Sequence, residues 1–326
     1  MKVFGLPVLF HLSVRFGKKL KKVLIFGASG FVGSYLSKEF ISHGYTVIGT
    51  DKVEGMMLPA DVGFYKTDLL QSAEVESLVN RIQPDIIVNL AAVSSVGSSW
   101  NIPQTTIEVN VVGALNIMEA ARKCQVSPKI LFVGSSEEYA VSDKPIDEYS
   151  PLNAGNPYGI SKSTQEQLAK IYREQYGLKI YCVRPFNHTG VGQRDTFVLP
   201  SFCKQVAMIE KSGKPGIIKV GNLKVKRDFS HVKDIVRAYR MIVESDNCEQ
   251  IYNVGSGVAY SLEDMLSYVI ALSKQPITVE IDQSRIRPTD QPVICCDRKL
   301  IENDLGWKPE YNAFDALNEL FQYYMG

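Results

Sequence analysis

Short apolar runs recur along the chain, with helix-length amphipathic stretches between them. KVLIF (22–26), TVIGT (46–50), DIIVNL (85–90), KILFVG (129–134), KIYCVR (179–184) and IYNV (251–254) are apolar or β-branched at consecutive positions. A strand with apolar residues on both faces must be covered on both, and such strands alternating with helices build a parallel sheet between helical layers. The pattern therefore predicts an α/β fold with a doubly wound parallel sheet.

The intervening segments carry helix punctuation. The first ends at His43-Gly44, a C-terminal glycine signal. Ser72 precedes an acidic first turn containing Glu74 and Glu76, and Pro84 closes that segment. Asn156-Pro157 joins a preferred N-cap to the residue favoured at the first helical position, which predicts a helix over 157–176 with a stop at Gly177. After Arg184 the alternation weakens into Pro/Gly-punctuated stretches (187–225 and 257–310), with a return to the sheet at 251–254. The predicted organisation is an N-terminal extension (1–21), a sheet domain (22–186 plus about 226–256) and a smaller discontinuous C-terminal domain (about 187–225 plus 257–326).

Composition narrows the picture. With 326 residues, 45% apolar and 22% charged, the chain can bury a large core, and its length suits about two domains. A net charge of +1 gives no electrostatic case for nucleic acid as a partner. Six cysteines, none in a C-x-x-C pair, point to a cytoplasmic rather than a disulfide-forming setting. Four histidines without metal-ligand spacing predict no metal. The opening MKVFGLPVLFHLSVRFGKKLKK joins an apolar run to a basic cluster, but Gly5, Pro7, His11 and Arg15 interrupt it. It is too short to span a bilayer, so no stable membrane insertion is expected; an extension packed on the body or an upstream start fits better than a surface-lying amphipathic segment.

Candidate chemistry begins at Gly27-Ala-Ser-Gly30-Phe31-Val32-Gly33, between the first strand and the first helix. Glycines there permit a tight turn and close backbone approach to a pyrophosphate, with the helix N-terminus facing the anion. The sheet domain is accordingly expected to be Rossmann-type. Asp51 stands 18 positions after Gly33, at the end of the second strand, where a carboxylate accepts from an adenosine ribose and repels a 2′-phosphate. NAD(H) is favoured, and the adjacent Lys52 keeps NADP(H) possible. Asp68-Leu69, after the third strand, is a candidate adenine contact.

Tyr158 and Lys162 are four residues apart on one helix, hence on one face. At about 4 Å and an effective dielectric of about 20, an ammonium stabilises a phenolate by about 4 kcal/mol, enough to lower a phenol pKa of about 10 by roughly 3 before desolvation subtracts. Such a tyrosine exchanges protons with a sugar or alcohol oxygen. Ser135, Ser136 and Glu137 follow the strand at 129–134, at the sheet edge where ligands bind. Arg184-Pro-Phe-Asn187, Lys226-Arg227-Asp228 and Arg285-Ile-Arg287 supply arginines suited to forking onto a diphosphate.

Together these residues resemble the extended short-chain dehydrogenase/reductase family in its nucleotide-sugar branch, and within it the GDP-6-deoxy-4-keto-D-mannose reductases that form GDP-D-rhamnose. The resemblance runs from residue 22 to about 310 and rests on VGSSEEY (133–139), RPFNHTGVGQ (184–193), IKVGNLKVKRDF (218–229) and RIRPTD…LGWKP (285–309). It implies Ser135, Tyr158 and Lys162 as the catalytic triad, and Gly27, Gly30, Phe31, Val32, Gly33, Asp51, Asp68, Leu69, Leu90, Ala91 and Ala92 as the cofactor site, with Tyr158 and Lys162 also reaching the cofactor. It implies Ser136, Asn187, Asn222, Arg227 and Arg287 as contacts of a GDP-linked sugar. It further implies a homodimer formed through two helices, near 104–123 and 157–176. Glu137 matches the carboxylate that related 4,6-dehydratases use as a base and is therefore a fourth catalytic candidate. Ala140 stands for the usual glycine after Tyr139, and Val191 for the usual proline in GPGQ.

The activity implied is NAD(P)H-dependent reduction of the C4 keto group of a 4-keto-6-deoxy sugar, with Tyr158 protonating O4. Two rivals use the same fold. A dehydratase or 4-epimerase keeps its nicotinamide bound without net consumption, and a non-catalytic dinucleotide sensor has no need of Tyr158 or Lys162.

Overall fold

The computed structural model describes residues 20–55, 57–246, 248–286 and 291–326. The expectations for residues 1–19 of the N-terminal extension and for Arg287 lie outside them. Among the described residues thirteen strands form: β1 Lys22–Phe26, β2 Thr46–Asp51, β3 Gly63–Lys66, β4 Ile86–Asn89, β5 Lys129–Val133, β6 Lys179–Pro185, β7 Asn187–Thr189, β8 Gly216–Val220, β9 Lys226–His231, β10 Ile251–Val254, β11 Ala259–Ser261, β12 Ile277–Ile281 and β13 Val293–Ile294. Seven of them make one sheet in the order β10-β6-β5-β4-β1-β2-β3, every pairing parallel. This is the Rossmann-type doubly wound sheet that the apolar runs implied.

Helices cover both faces, as strands buried on both sides require. Helix α1 (Phe31–Ser42) packs Leu36 and Phe40 into one layer. On the opposite layer lie α2 (Ser72–Ile82), α5 (Gly113–Lys123) and α6 (Pro157–Tyr176), preceded along the chain by the short helices α3 (Val96–Asn101) and α4 (Pro103–Ile107). The single helix expected near 104–123 is broken: between α4 and α5, residues Glu108–Val112 form a π-helical turn. Such a bulge inserts an extra residue and re-aims one side chain, here the buried Asn110.

Beyond β6 come α7 (Val198–Ser212), α8 (Val232–Glu244), α9 (Leu262–Ala271), α10 (Lys299–Leu305) and α11 (Ala313–Met325). Helices α7, α9 and α11 share a separate core with β8 and β9. Strand β9 pairs with β7 and β13 in parallel and with β11 antiparallel, forming a second sheet. Residues 226–231, expected with the cofactor sheet, therefore lie in this second sheet. An apolar strand pattern does not specify which sheet receives it; here β6 already sits between β5 and β10, and β9 finds its partners elsewhere. The chain re-enters the first unit with α8, whose Val232, Ile235, Tyr239 and Ile242 join α1 in the core. Trp307 is fully buried in that layer and its indole N–H donates to the Asp234 carbonyl (3.1 Å).

Candidate active site

The Gly-rich turn lies where the strand order reverses, between β1 and β4. Gly27 leaves β1 at φ +79°, and a Cβ there would stand 2.6 Å from the Ala91 nitrogen. A Cβ on Gly33 would stand 2.5 Å from the Ala28 carbonyl oxygen. Leu90, Ala91 and Ala92 follow β4 on the other side of this crossing, half-buried. Helix α1 has Gly30 at its N-cap, with no side-chain cap and no acidic residue in its first turn. Its first N–H groups are thus left for an anion, and no carboxylate opposes one. A cradle that no Cβ could share, at an uncapped helix N-terminus, fits a dinucleotide pyrophosphate. Phe31 and Val32 open the helix half-buried, and Phe31 lies nearly parallel to the His188 ring (6.3 Å, 12°).

Asp51 accepts the Lys52 N–H at 2.7 Å, while burial pushes its pKa up against the lowering by the backbone of Lys52 and Ser29. Lys52 turns aside to Asp68, 3.2 Å away. The Leu70 N–H, with Lys52 beside it, holds Asp68 below the usual carboxylate range. The Leu69 side chain is buried in the core beside Gly113, so only its backbone is left to face a ligand.

At the carboxyl end of β5, Ser135 caps a one-turn 3-10 segment, Ser136–Glu138. Helix α6 begins beside it: Asn156 accepts the Gly159 N–H (2.9 Å) and donates to Glu137 Oε2 (2.9 Å). The cap fixes the helix start, and the helix carries Tyr158 and Lys162 to Ser135. The Ser135 hydroxyl lies near enough to the Tyr158 phenol to lower its pKa. The Lys162 ammonium donates to the Val133 carbonyl (2.7 Å) and lies 5.9 Å from the Tyr158 ring centroid. The structure corrects the expected tyrosine pKa. Burial pushes Tyr158 well above an ordinary phenol, and the charges of Glu138 and Glu137 push the same way, against the lowering by Ser135. Burial also brings Lys162 down to about 8. Desolvation thus outweighs the lysine's attraction for a phenolate, and Tyr158 is held as a neutral proton donor.

The remaining candidates are more dispersed. Asn187 is half-buried on β7, Asn222 accepts the Lys224 N–H (3.1 Å), and Arg227 donates to the carbonyls of Lys226 (2.9 Å) and Gln291 (2.7 Å). Arg184, expected as a diphosphate fork, is instead buried. Its guanidinium is bidentate to Glu166 and also donates to Tyr139 (2.7 Å) and the Glu148 carbonyl (3.1 Å). Sequence reasoning missed three residues. Asn110 clasps Val93 through both its amide groups (2.8 and 3.2 Å) and donates to Ser161 (2.8 Å), tying the segment after β4 to α6. His188 faces the Gly-rich turn through Phe31, and Glu138 is wholly buried behind Ser135. The adjacent carboxylates at 137 and 138 were the only signal of the last; their different burial comes from the 3-10 turn.

With this geometry in place, comparison with known proteins decides the family. The pattern of the GDP-mannose 4,6 dehydratase family matches residues 24–320. The chain belongs to that family. It is an extended short-chain dehydrogenase/reductase of the nucleotide-sugar branch, an NAD(P)-dependent enzyme acting on a nucleotide sugar. GDP-6-deoxy-D-mannose reductase of Pseudomonas aeruginosa is 27% identical over 303 residues, covering 92% of this chain and 96% of that protein. GDP-mannose 4,6-dehydratase of Vibrio cholerae is 26% identical over 346 residues, covering 92% of each. Among solved structures, RMD from Pseudomonas aeruginosa complexed with NADPH superposes with a TM-score of 0.81 at 25% identity, covering 94% of this chain and 99% of that one. Among the described residues no helix is long and apolar enough to cross a membrane, and all six cysteines are unpaired.

Proposed function

We propose that this family member reduces GDP-4-keto-6-deoxy-D-mannose at C4 to GDP-D-rhamnose. The observation that carries the reading is the Ser135-Tyr158-Lys162 group beside the Gly-rich cradle, with its tyrosine held protonated by burial. A carbonyl that accepts hydride becomes an alkoxide and needs a proton, which a neutral phenol provides. A reduced nicotinamide supplies the hydride when bound. Ser135 donates a hydrogen bond to the C4 oxygen, Tyr158 transfers its proton to that oxygen as charge develops, and Lys162 offsets the phenolate left behind. Gly27, Gly30 and Gly33, with Asp51 and the backbone after β4, hold the dinucleotide; Ser136, Asn187, Asn222, Arg227 and Arg287 hold the sugar nucleotide.

NADH is the proposed reductant. Its support is the Asp51 carboxylate at the end of β2 together with the diversion of Lys52 to Asp68, which removes the nearby cation that a 2′-phosphate would seek. The Pseudomonas relative was solved with NADPH, so both coenzymes belong in the test.

Glu137 favours a second reading. It keeps a carboxylate two residues after Ser135, anchored by Asn156 at 2.9 Å, where a dehydratase needs a base. Nicotinamide absorbance separates the two. Stoichiometric oxidation on adding GDP-4-keto-6-deoxy-mannose supports the reductase and ranks the coenzymes. No oxidation, with turnover of GDP-mannose and no net change in nicotinamide, supports the dehydratase.

A further inference from the structure

An ion pair bridges the ends of β2 and β3 beside the Gly-rich turn. Asp51 pairs in register with Lys66, and the Thr67 N–H donates to the Asp51 carbonyl (3.0 Å), so the chain leaves the two strands side by side at Lys52 and Asp68. Lys52 Nζ lies 3.2 Å from Asp68 Oδ2. Asp68 is a fixed anchor: its N–H donates to Glu74 Oε2 (3.1 Å), its Oδ1 accepts the Leu70 N–H (3.0 Å), and its carbonyl accepts the Gln71 N–H (2.9 Å). The Lys52 backbone is held as well. Its N–H donates to Asp51 (2.7 Å), and the loop that follows rests on the Gly-rich turn, where Ser29 Oγ donates to the Val53 carbonyl (2.6 Å) and a Cβ on Gly55 would stand 2.6 Å from the Ser29 carbonyl oxygen. What is left to move is the Lys52 side chain, 56% exposed against 33% for that of Asp68. A 2′-phosphate next to the Asp51 carboxylate needs charge-assisted donors. Two groups placed to supply them, the Lys52 ammonium and the Ser29 hydroxyl, are engaged with Asp68 and Val53 instead.

We propose that Asp68 is a specificity-determining residue for the coenzyme: by keeping Lys52 engaged it withholds from a 2′-phosphate the cation that would offset Asp51. The inference rests on the reading of Asp51 and the Gly-rich turn as part of a dinucleotide site, and it moves part of the preference for NADH to a residue after β3. An ion pair this exposed is weak, and a lysine released from it has a flexible four-carbon stem with which to meet a phosphate.

The test reads coenzyme binding without sugar: dissociation constants of NADH and NADPH from the fluorescence of the bound nicotinamide, at low ionic strength, where charges are least screened. Asp68→Asn keeps an acceptor for the Leu70 N–H and frees Lys52. Any adenine contact it loses falls on both coenzymes alike, so the ratio of the two constants is the readout. That ratio should shift toward NADPH by about three- to fivefold, the worth of an exposed pair. Adding Lys52→Met to Asp68→Asn should abolish the shift. An unmoved ratio in Asp68→Asn overturns the proposal, and so does a shift that survives in the double variant, which would assign the effect to the Asp68 charge itself. Lys52→Met alone alters an exposed side chain and should move the ratio by less than about twofold; a loss of NADPH affinity of about tenfold would mean that Lys52 already serves the phosphate, against the proposal. Wild-type protein that binds neither coenzyme overturns the dinucleotide reading and the inference with it. Binding of both with unmoved ratios overturns the inference alone, and the reductase reading enters neither result.

Discussion

Tyr158 is where the proposed reaction meets its surroundings. A phenol kept neutral by desolvation is a poor base and a ready acid, which suits a step that delivers a proton to a developing alkoxide. Tyr158→Phe keeps the ring and removes the proton, so kcat should fall by roughly 10²- to 10⁴-fold. Coenzyme affinity, followed by quenching of protein fluorescence, should change little, because the cradle is built from backbone at Gly27, Gly30 and Gly33. Near-normal turnover with coenzyme bound would remove Tyr158 from the mechanism. At this scale the sequence revealed spacing but not environment. Tyr158 and Lys162 share a helix face by their separation of four, whereas the opposing effect of burial arises from parts of the chain far from both. Glu138 and Asn110 were illegible for the same reason: Asn110 acts on Val93 and Ser161, 17 and 51 residues away.

Helix α6 shows how an element can be legible end to end. Asn156, Pro157 and Gly177 mark its limits in the sequence, and the structure starts it at Pro157 and ends it at Tyr176, with Gly177 at φ +66°. The helix before it was less legible, since a π turn leaves the apolar periodicity almost unchanged while shifting register by a single residue. Asn110 occupies that turn, and its amide satisfies both polar groups of Val93, which otherwise lie without these partners at the edge of the coenzyme cradle. Asn110→Ala should cost about 2 kcal/mol in urea unfolding, the desolvation cost of the stranded groups. Because the same amide reaches Ser161 on α6, the variant should also raise KM for the coenzyme by disordering the segment at Leu90–Ala92. Unchanged stability and unchanged KM together would mean that the π turn plays no part in holding that segment.

For the molecule as a whole, two neighbouring elements each leave apolar side chains exposed. Ile107 and Val112, at 38% and 42% exposure, lie on the α4–π–α5 segment, and Ile160 and Ile171, each at 50%, lie on α6. The two elements pack along one another, and Ile160 and Ile171 are eleven residues apart, three helical turns on one face. Scattered surface aliphatics need no explanation, whereas several exposed on two helices that pack together are candidates for covering by a partner. The family resemblance expects a dimer through these same two helices, and the exposed aliphatics lie on both of them. The allocation of chain to units was the least legible feature at this scale: β9 reads as a strand from its pattern, yet only the choice of partners puts it in the second sheet. The dimer is testable without that ambiguity. Sedimentation velocity at micromolar concentration should give a mass near twice that of the 36.4 kDa chain. Ile171→Glu should yield a monomer that retains its fold, since the substituted side chain leaves no core contact behind. A wild-type monomer at those concentrations, or a dimer indifferent to Ile171→Glu, would assign these aliphatics to some other role.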